Sequence, residues 1–99
     1  MFGTVIPSTL SSLSPEQALE LANVYLEKGY SARDPDVAFV LCHETEASLL
    51  HAKKAARSAK NQTVIEGIAT AYIDLGRLLE IHKHGNESQA IYKKGEKLG

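Results

Sequence analysis

A stretch of helix occurs twice in this sequence. Leu21-Ala22-Asn23-Val24-Tyr25-Leu26-Glu27-Lys28-Gly29 aligns without gaps to Ile68-Ala69-Thr70-Ala71-Tyr72-Ile73-Asp74-Leu75-Gly76, an offset of 47 residues. Ala, Tyr and Gly recur identically, and Leu/Ile and Glu/Asp exchanges keep shape or charge. In each copy a small residue, an aromatic three later and a glycine four beyond that share one helical face. Glycine costs about 1 kcal/mol of helix propensity relative to alanine, so a glycine there marks either close approach of another helix or a helix end. For Gly76 the spacing favours close approach, since helical periodicity continues through Leu79; for Gly29 both readings stand. Ninety-nine residues hold one small domain, which a duplicated helix divides into two related halves.

Helix start signals recur along the chain. Ser14-Pro15-Glu16-Gln17 supplies an N-cap hydroxyl, a proline at the first helical position and a glutamine to close a capping box. Ala18, Leu21, Ala22, Tyr25 and Gly29 then recur at helical steps. Asp34-Pro35-Asp36 starts a second helix, in which Ala38, Leu41, Cys42, Thr45, Leu49, Ala52 and Ala56 keep one face to Ser58. Asn61 or Thr63 caps a third, whose Ile65, Ile68, Ala69, Tyr72, Leu75, Gly76 and Leu79 form the clearest amphipathic stripe. Asn86-Glu87-Ser88-Gln89 is read as the cap and box of a short fourth helix through Ile91, Tyr92, Gly95 and Leu98. A second internal match, at an offset of 40, pairs Ser48 with Ser88 and Lys53-Lys54-Ala55 with Lys93-Lys94-Gly95. The expected fold is all-α: four helices as two stacked antiparallel hairpins, about 14–58 and 62–98. Residues 1–13, uncharged and interrupted by Pro7 and a Ser/Thr cluster, are expected to form a non-helical arm.

From these residues the pattern reaches a known family. Tyr72, Leu75, Gly76 and Leu79, followed by Ser88, Tyr92 and Gly95, resemble the tetratricopeptide repeat: aromatic, Leu, Gly, large residue, then small, aromatic, small. The resemblance covers 64–98 well and 18–56 more loosely; the family's closing proline is missing after Leu98, and Gly85 lies later than its loop glycine. Val40-Leu41-Cys42-His43 and Glu66 to Gly76 also resemble an uncharacterised helical domain found in multidomain proteins of early-diverging fungi. The repeat family implies binding of a partner helix or peptide in a groove lined by the first helix of each hairpin. Its groove positions fall on Asn23, Leu26, Tyr30 and Arg33 and on Thr70, Ile73, Arg77 and Glu80. The clamp that some members use for a C-terminal carboxylate is disfavoured, because Leu26, Tyr30 and Thr70 replace the Lys and Asn residues it needs.

Charge adds a second expectation. Residues 1–50 carry a balance of −5 and residues 51–99 a balance of +4, although the whole chain is −1. Opposite fields on two halves steer one molecule toward another, so homodimerisation is expected and salt is expected to weaken it. Two hairpins are also few for a stacked repeat, whose open ends need cover from residues 1–13, a second copy or adjoining sequence. The alternative is an anion site for RNA or acidic lipid on the second helices, formed by Lys53, Lys54, Arg57, Lys60, Lys93, Lys94 and Lys97. The near-neutral total argues against a general nucleic-acid binder.

The remaining chemistry is sparse. Cys42-His43-x-x-Glu46 lacks the spacing of a recognised metal or nucleophile motif, and Cys42 lies on an apolar stripe where a free cysteine acts as a small hydrophobe. His82-x-His84 is read as complementing the negative end of the third helix. Asn61-Gln62-Thr63 and Asn86-Glu87-Ser88 match the glycosylation sequon but coincide with helix caps. No secretory signal or membrane span is legible. The expectation is a cytoplasmic binding protein, not an enzyme, without metal or cofactor.

Overall fold

The structure, a computed structural model, describes residues 13–98. They form four helices: α1 (Pro15–Ser31), α2 (Pro35–Ala59), α3 (Gln62–Ile81) and α4 (Gly85–Leu98). No strand occurs among the described residues. The expected arm, apart from Leu13, lies outside them.

The caps explain where each helix begins. Ser14 Oγ accepts the Gln17 N–H at 3.2 Å, and Gln17 Oε1 accepts the Ser14 N–H at 3.0 Å, completing the box. Asp34 Oδ1 accepts the Asp36 N–H at 2.9 Å. Asn61, rather than Thr63, caps α3 by accepting the Val64 N–H at 3.2 Å. The start of α4 differs from the expectation: the His84 carbonyl accepts the Ser88 N–H, so Asn86 lies inside the first turn. Glu87 Oε2 lies 3.2 Å from His84 Nδ1, a side-chain contact between residues three apart at the helix start. Both turns into the second hairpin's helices use a left-handed lysine, Lys60 at φ 55° and Lys83 at φ 65°. The Lys60 turn frees the Asn61 N–H to return to the Ala56 carbonyl at 2.9 Å.

Antiparallel packing within each hairpin follows from small residues and two buried serines. Ser48 Oγ donates to the Ala18 carbonyl at 2.7 Å between α1 and α2, and Ser88 Oγ donates to the Gly76 carbonyl at 2.9 Å between α3 and α4. A hydroxyl can be buried here because it finds a carbonyl on the neighbouring helix. Gly29 lies within α1, which continues to Ser31, so close approach is its role: a Cβ there would stand 2.5 Å from Leu78 Cδ2. Gly76 is likewise covered by the Tyr92 ring.

The hairpins stack with α1 and α3 side by side and pointing the same way. Glu16 Oε2 accepts from Asn61 Nδ2 at 3.0 Å near their starts, Leu19 covers Gly67, and Tyr30 and Gly29 meet Asp74 and Leu78 further along. Helix α3 packs against all three others, which is why it is apolar on most sides and buries Val64, Ile68, Ala71, Tyr72, Leu75, Leu78 and Leu79. The result is only 18 Å thick, about two layers of helix.

Hairpin register corrects the second internal match. Gly29 lies near Leu41 of α2 and Gly76 lies against Tyr92 of α4, so the second helices are related by a shift of 51 residues and not by 40. Ser48 and Ser88 therefore bond at opposite ends of their hairpins, to Ala18 near the start of α1 and to Gly76 late in α3. The Lys53-Lys54 and Lys93-Lys94 pairs do not occupy equivalent places.

Candidate functional site

Equivalent positions in α1 and α3 have unequal burial, and the stack is the cause. Tyr72 is buried because the first hairpin covers it, whereas Tyr25, its counterpart, is half-exposed with no described helix preceding it. The next residue shows the reverse. Leu26 is 4% exposed within the hydrophobic core, and Ile73 is half-buried. Leu26 is thus a residue of the core and not exposed to a groove, a correction to the sequence expectation.

The other expected positions reach the surface. Asn23 and Tyr30 are exposed on α1 and Arg33 in the turn after it, and Thr70, Arg77 and Glu80 are exposed on α3. Because the two helices run in parallel, these residues form two adjacent rows. Tyr30 spans them, its hydroxyl donating to the Asp74 carbonyl at 2.8 Å. Partial burial raises the Tyr30 pKa above the ordinary phenol value, the Asp74 carboxylate adds to this, and the Arg77 guanidinium opposes it. Glu80 accepts the hydroxyl hydrogen of Tyr92, which extends the surface onto α4. Asp74 and Tyr92 were not singled out as surface residues by sequence; no motif marks them, because they join through the hairpin register.

The basic residues of α2 and α4 draw together without the symmetry their sequence suggested. Burial lowers the Lys53 pKa, and the charges of Arg57, Lys94, Lys54 and Lys97 lower it further. Lys60 occupies the left-handed turn after α2, and Lys93 is exposed on α4. Lys94 is paired with Glu46, so one acid of the first half meets one base of the second within a single molecule. The charge split is in part used between the hairpins.

Between α2, α3 and α4 lies a cleft of about 110 Å³, with Phe39, Cys42, Leu75, Leu79 and Ile91 among its lining residues. His43 and Glu46 reach it, so the structure does bring Cys42, His43 and Glu46 to one place. Burial pushes the Cys42 thiol up to about 11, far from a nucleophilic thiolate at neutral pH. His43 meets Phe39 edge-on at 4.5 Å between centroids, and His84 lies against the same ring at 4.4 Å while contacting Glu87. Among the described residues, no His, Cys, Asp and Glu side chains are grouped so as to hold a metal ion, and no helix is long and apolar enough to cross a membrane.

Comparison with known proteins adds no name to this geometry: no family model, curated protein or solved structure matches the chain.

Proposed function

We propose that this chain is a protein-interaction module that binds a partner helix or extended peptide, or a second copy of itself, across the face shared by α1 and α3. One observation supports the reading: α1 and α3 run in parallel and Tyr30 reaches across to the Asp74 carbonyl, while Asn23, Arg33, Thr70, Arg77 and Glu80 are exposed. Tyr and Arg are the side chains that most often anchor such contacts, the first by apolar area with a polar tip and the second by a planar fork of donors. Ile73 offers an apolar site at the edge. The likeness to tetratricopeptide repeats supports the same face. The role is binding rather than catalysis, in the cytoplasm, with no cofactor or metal.

Random-peptide display tests this. Thr70→Arg and Arg77→Glu alter exposed residues and leave the core intact. Peptides selected on the native chain are expected to be lost on the double variant. Equal retention contradicts the assignment.

A second reading is supported by the basic residues of α2 and α4: after burial, the charges of Arg57, Lys94, Lys54 and Lys97 all act to lower the Lys53 pKa. Such a cluster suits an anionic partner such as RNA or acidic lipid, and binding there is expected to fall steeply with salt. Fluorescence anisotropy with single-stranded RNA and sedimentation with acidic vesicles, both at low salt, test it; no binding in either disposes of it.

A further inference from the structure

Helices α2 and α4 each pack on α3 and scarcely on one another, so a groove opens between them with α3 as its floor. The two run in the same direction: Phe39 meets His84 just before α4 begins, and Glu46 meets Lys94 further along. Two hollows share the groove. The first, of about 110 Å³, has Phe39, Cys42, Leu75, Leu79 and Ile91 in its lining, and the second, of about 250 Å³, has Ala47, Leu50 and Tyr72. His43, Glu46 and Lys94 border both, and the Lys94 to Glu46 ion pair crosses the groove where they meet. Both partners of that pair are part-exposed, so it opens at little cost. Beyond it, Leu50 keeps 43% of its surface exposed.

The groove has unlike ends. Phe39, His43, Glu46, Leu50, Lys53 and Arg57 recur at steps of three and four along α2, and Ile91, Lys94 and Lys97 do so along α4. The stripes that line the hollows therefore continue into basic residues. Burial lowers the Lys53 pKa, and the positive charges of Arg57, Lys94, Lys54 and Lys97 lower it further. At the other end the acid Glu87 contacts His84. A concave apolar channel with cations at one mouth suits an alkyl chain with an anionic head.

Size narrows the choice. The inner hollow is smaller than the roughly 150 Å³ cavity that benzene fills, so it takes one chain and not the two of a bilayer lipid. From Phe39 to Leu50 α2 rises about 16 Å at 1.5 Å per residue. A saturated chain advances about 1.25 Å per carbon, from its single-bond length and bond angle, so about twelve carbons span that distance. We propose that the groove between α2 and α4 binds a free fatty carboxylate of this length, its tail over Cys42, Leu75 and Ile91 and its carboxylate at Lys53 and Lys97. The site shares lysines with the basic-face reading but depends on the groove, which RNA and a vesicle surface do not enter.

Calorimetric titration of the full chain with dodecanoate, repeated with amide chemical shifts, tests this. One-to-one binding in the micromolar range is expected, with a negative heat-capacity change and the largest shifts at Glu46, Leu50 and Ile91. Dodecyltrimethylammonium, with the same chain and the opposite head, is expected to bind about tenfold more weakly, as is dodecanoate to the Lys53→Glu, Lys97→Glu variant. Ala90→Trp fills the inner hollow from an exposed position and is expected to abolish dodecanoate binding. Absence of one-to-one binding below the critical micelle concentration overturns the proposal. Equal affinity for the two heads, or full affinity in Ala90→Trp, overturns it as well. Shifts at Leu50 and Ile91 that grow with protein concentration alone place a second copy in the groove and also overturn it. Dodecanoate binding without RNA or vesicle binding supports it and disposes of the basic-face reading alone.

Discussion

Gly29→Ala and Leu78→Ala, made singly and together, probe the contact that joins the two hairpins. Alanine at position 29 puts a methyl 2.5 Å from Leu78 Cδ2, and Leu78 is fully buried, so its side chain has no solvent to turn into. Overpacking of this kind costs about 1 to 2 kcal/mol. Replacing glycine within a helix returns about 1 kcal/mol of propensity, so the single substitution is expected to lose about 0 to 1 kcal/mol. Leu78→Ala alone removes buried carbons and leaves a cavity, at a cost of about 3 kcal/mol. In that background the methyl at position 29 meets space, keeps its propensity gain and adds about 0.8 kcal/mol of burial. Gly29→Ala is then expected to stabilise by about 1 to 2 kcal/mol, a coupling of about 2 kcal/mol between the sites. Urea unfolding followed by far-ultraviolet circular dichroism measures all four proteins, since a domain of this size holds about 5 to 15 kcal/mol and survives each change. Additive effects, with Gly29→Ala equally costly in both backgrounds, would show that the two helices do not meet as described.

The other expected outcomes concern hydroxyls, turns and pH. Ser48→Ala and Ser88→Ala each remove a buried donor to a carbonyl of the neighbouring helix and are expected to cost about 1 kcal/mol in the same assay. Lys60→Gly and Lys83→Gly relieve left-handed backbone at residues with a Cβ and are expected to gain about 1 kcal/mol each, seen as a rise of about 4 to 8 °C in the thermal midpoint. Cys42, raised from 9.0 to about 11, and Tyr72, raised from 10.0 to about 12, both hold their protons more tightly folded than unfolded. Their contribution is complete below pH 9 and is lost as pH rises toward 11 and 12, so unfolding titrations are expected to show falling stability above pH 9 and a shallower fall in Tyr72→Phe.

Much of this architecture was legible because it rests on local chemistry. Ser14, Asp34 and Asn61 announce helices through side-chain oxygens whose partners are two or three residues away, and the structure uses all three. The duplicated Ala, Tyr and Gly located the two first helices, which lie in parallel. Long-range register was less legible. Nothing near Leu26 in the chain tells that it is buried in the core, and the resemblance to the repeat family implied a groove position for it. The offset of 40 between Lys pairs failed for the same cause, since Ser48 meets Ala18 near the start of α1 whereas Ser88 meets Gly76 late in α3. At the start of α4, Asn86 does not cap, because the helix starts at Gly85 and the His84 carbonyl accepts its first backbone bond from Ser88. Ser48 was missed because a polar residue on a helical stripe gives no sign of the carbonyl it will meet.

The face shared by α1 and α3 is the centre of the functional reading, and amide chemical-shift mapping tests it most directly. A peptide selected by display on the native chain is titrated into the isotope-labelled protein. The largest shifts are expected at Asn23, Tyr30, Arg33, Thr70, Ile73, Arg77 and Glu80, with Leu26 moving only through its neighbours. Shifts concentrated instead on Lys53, Lys54, Lys94 and Lys97, or on Val24, Val37 and Val40, would contradict it.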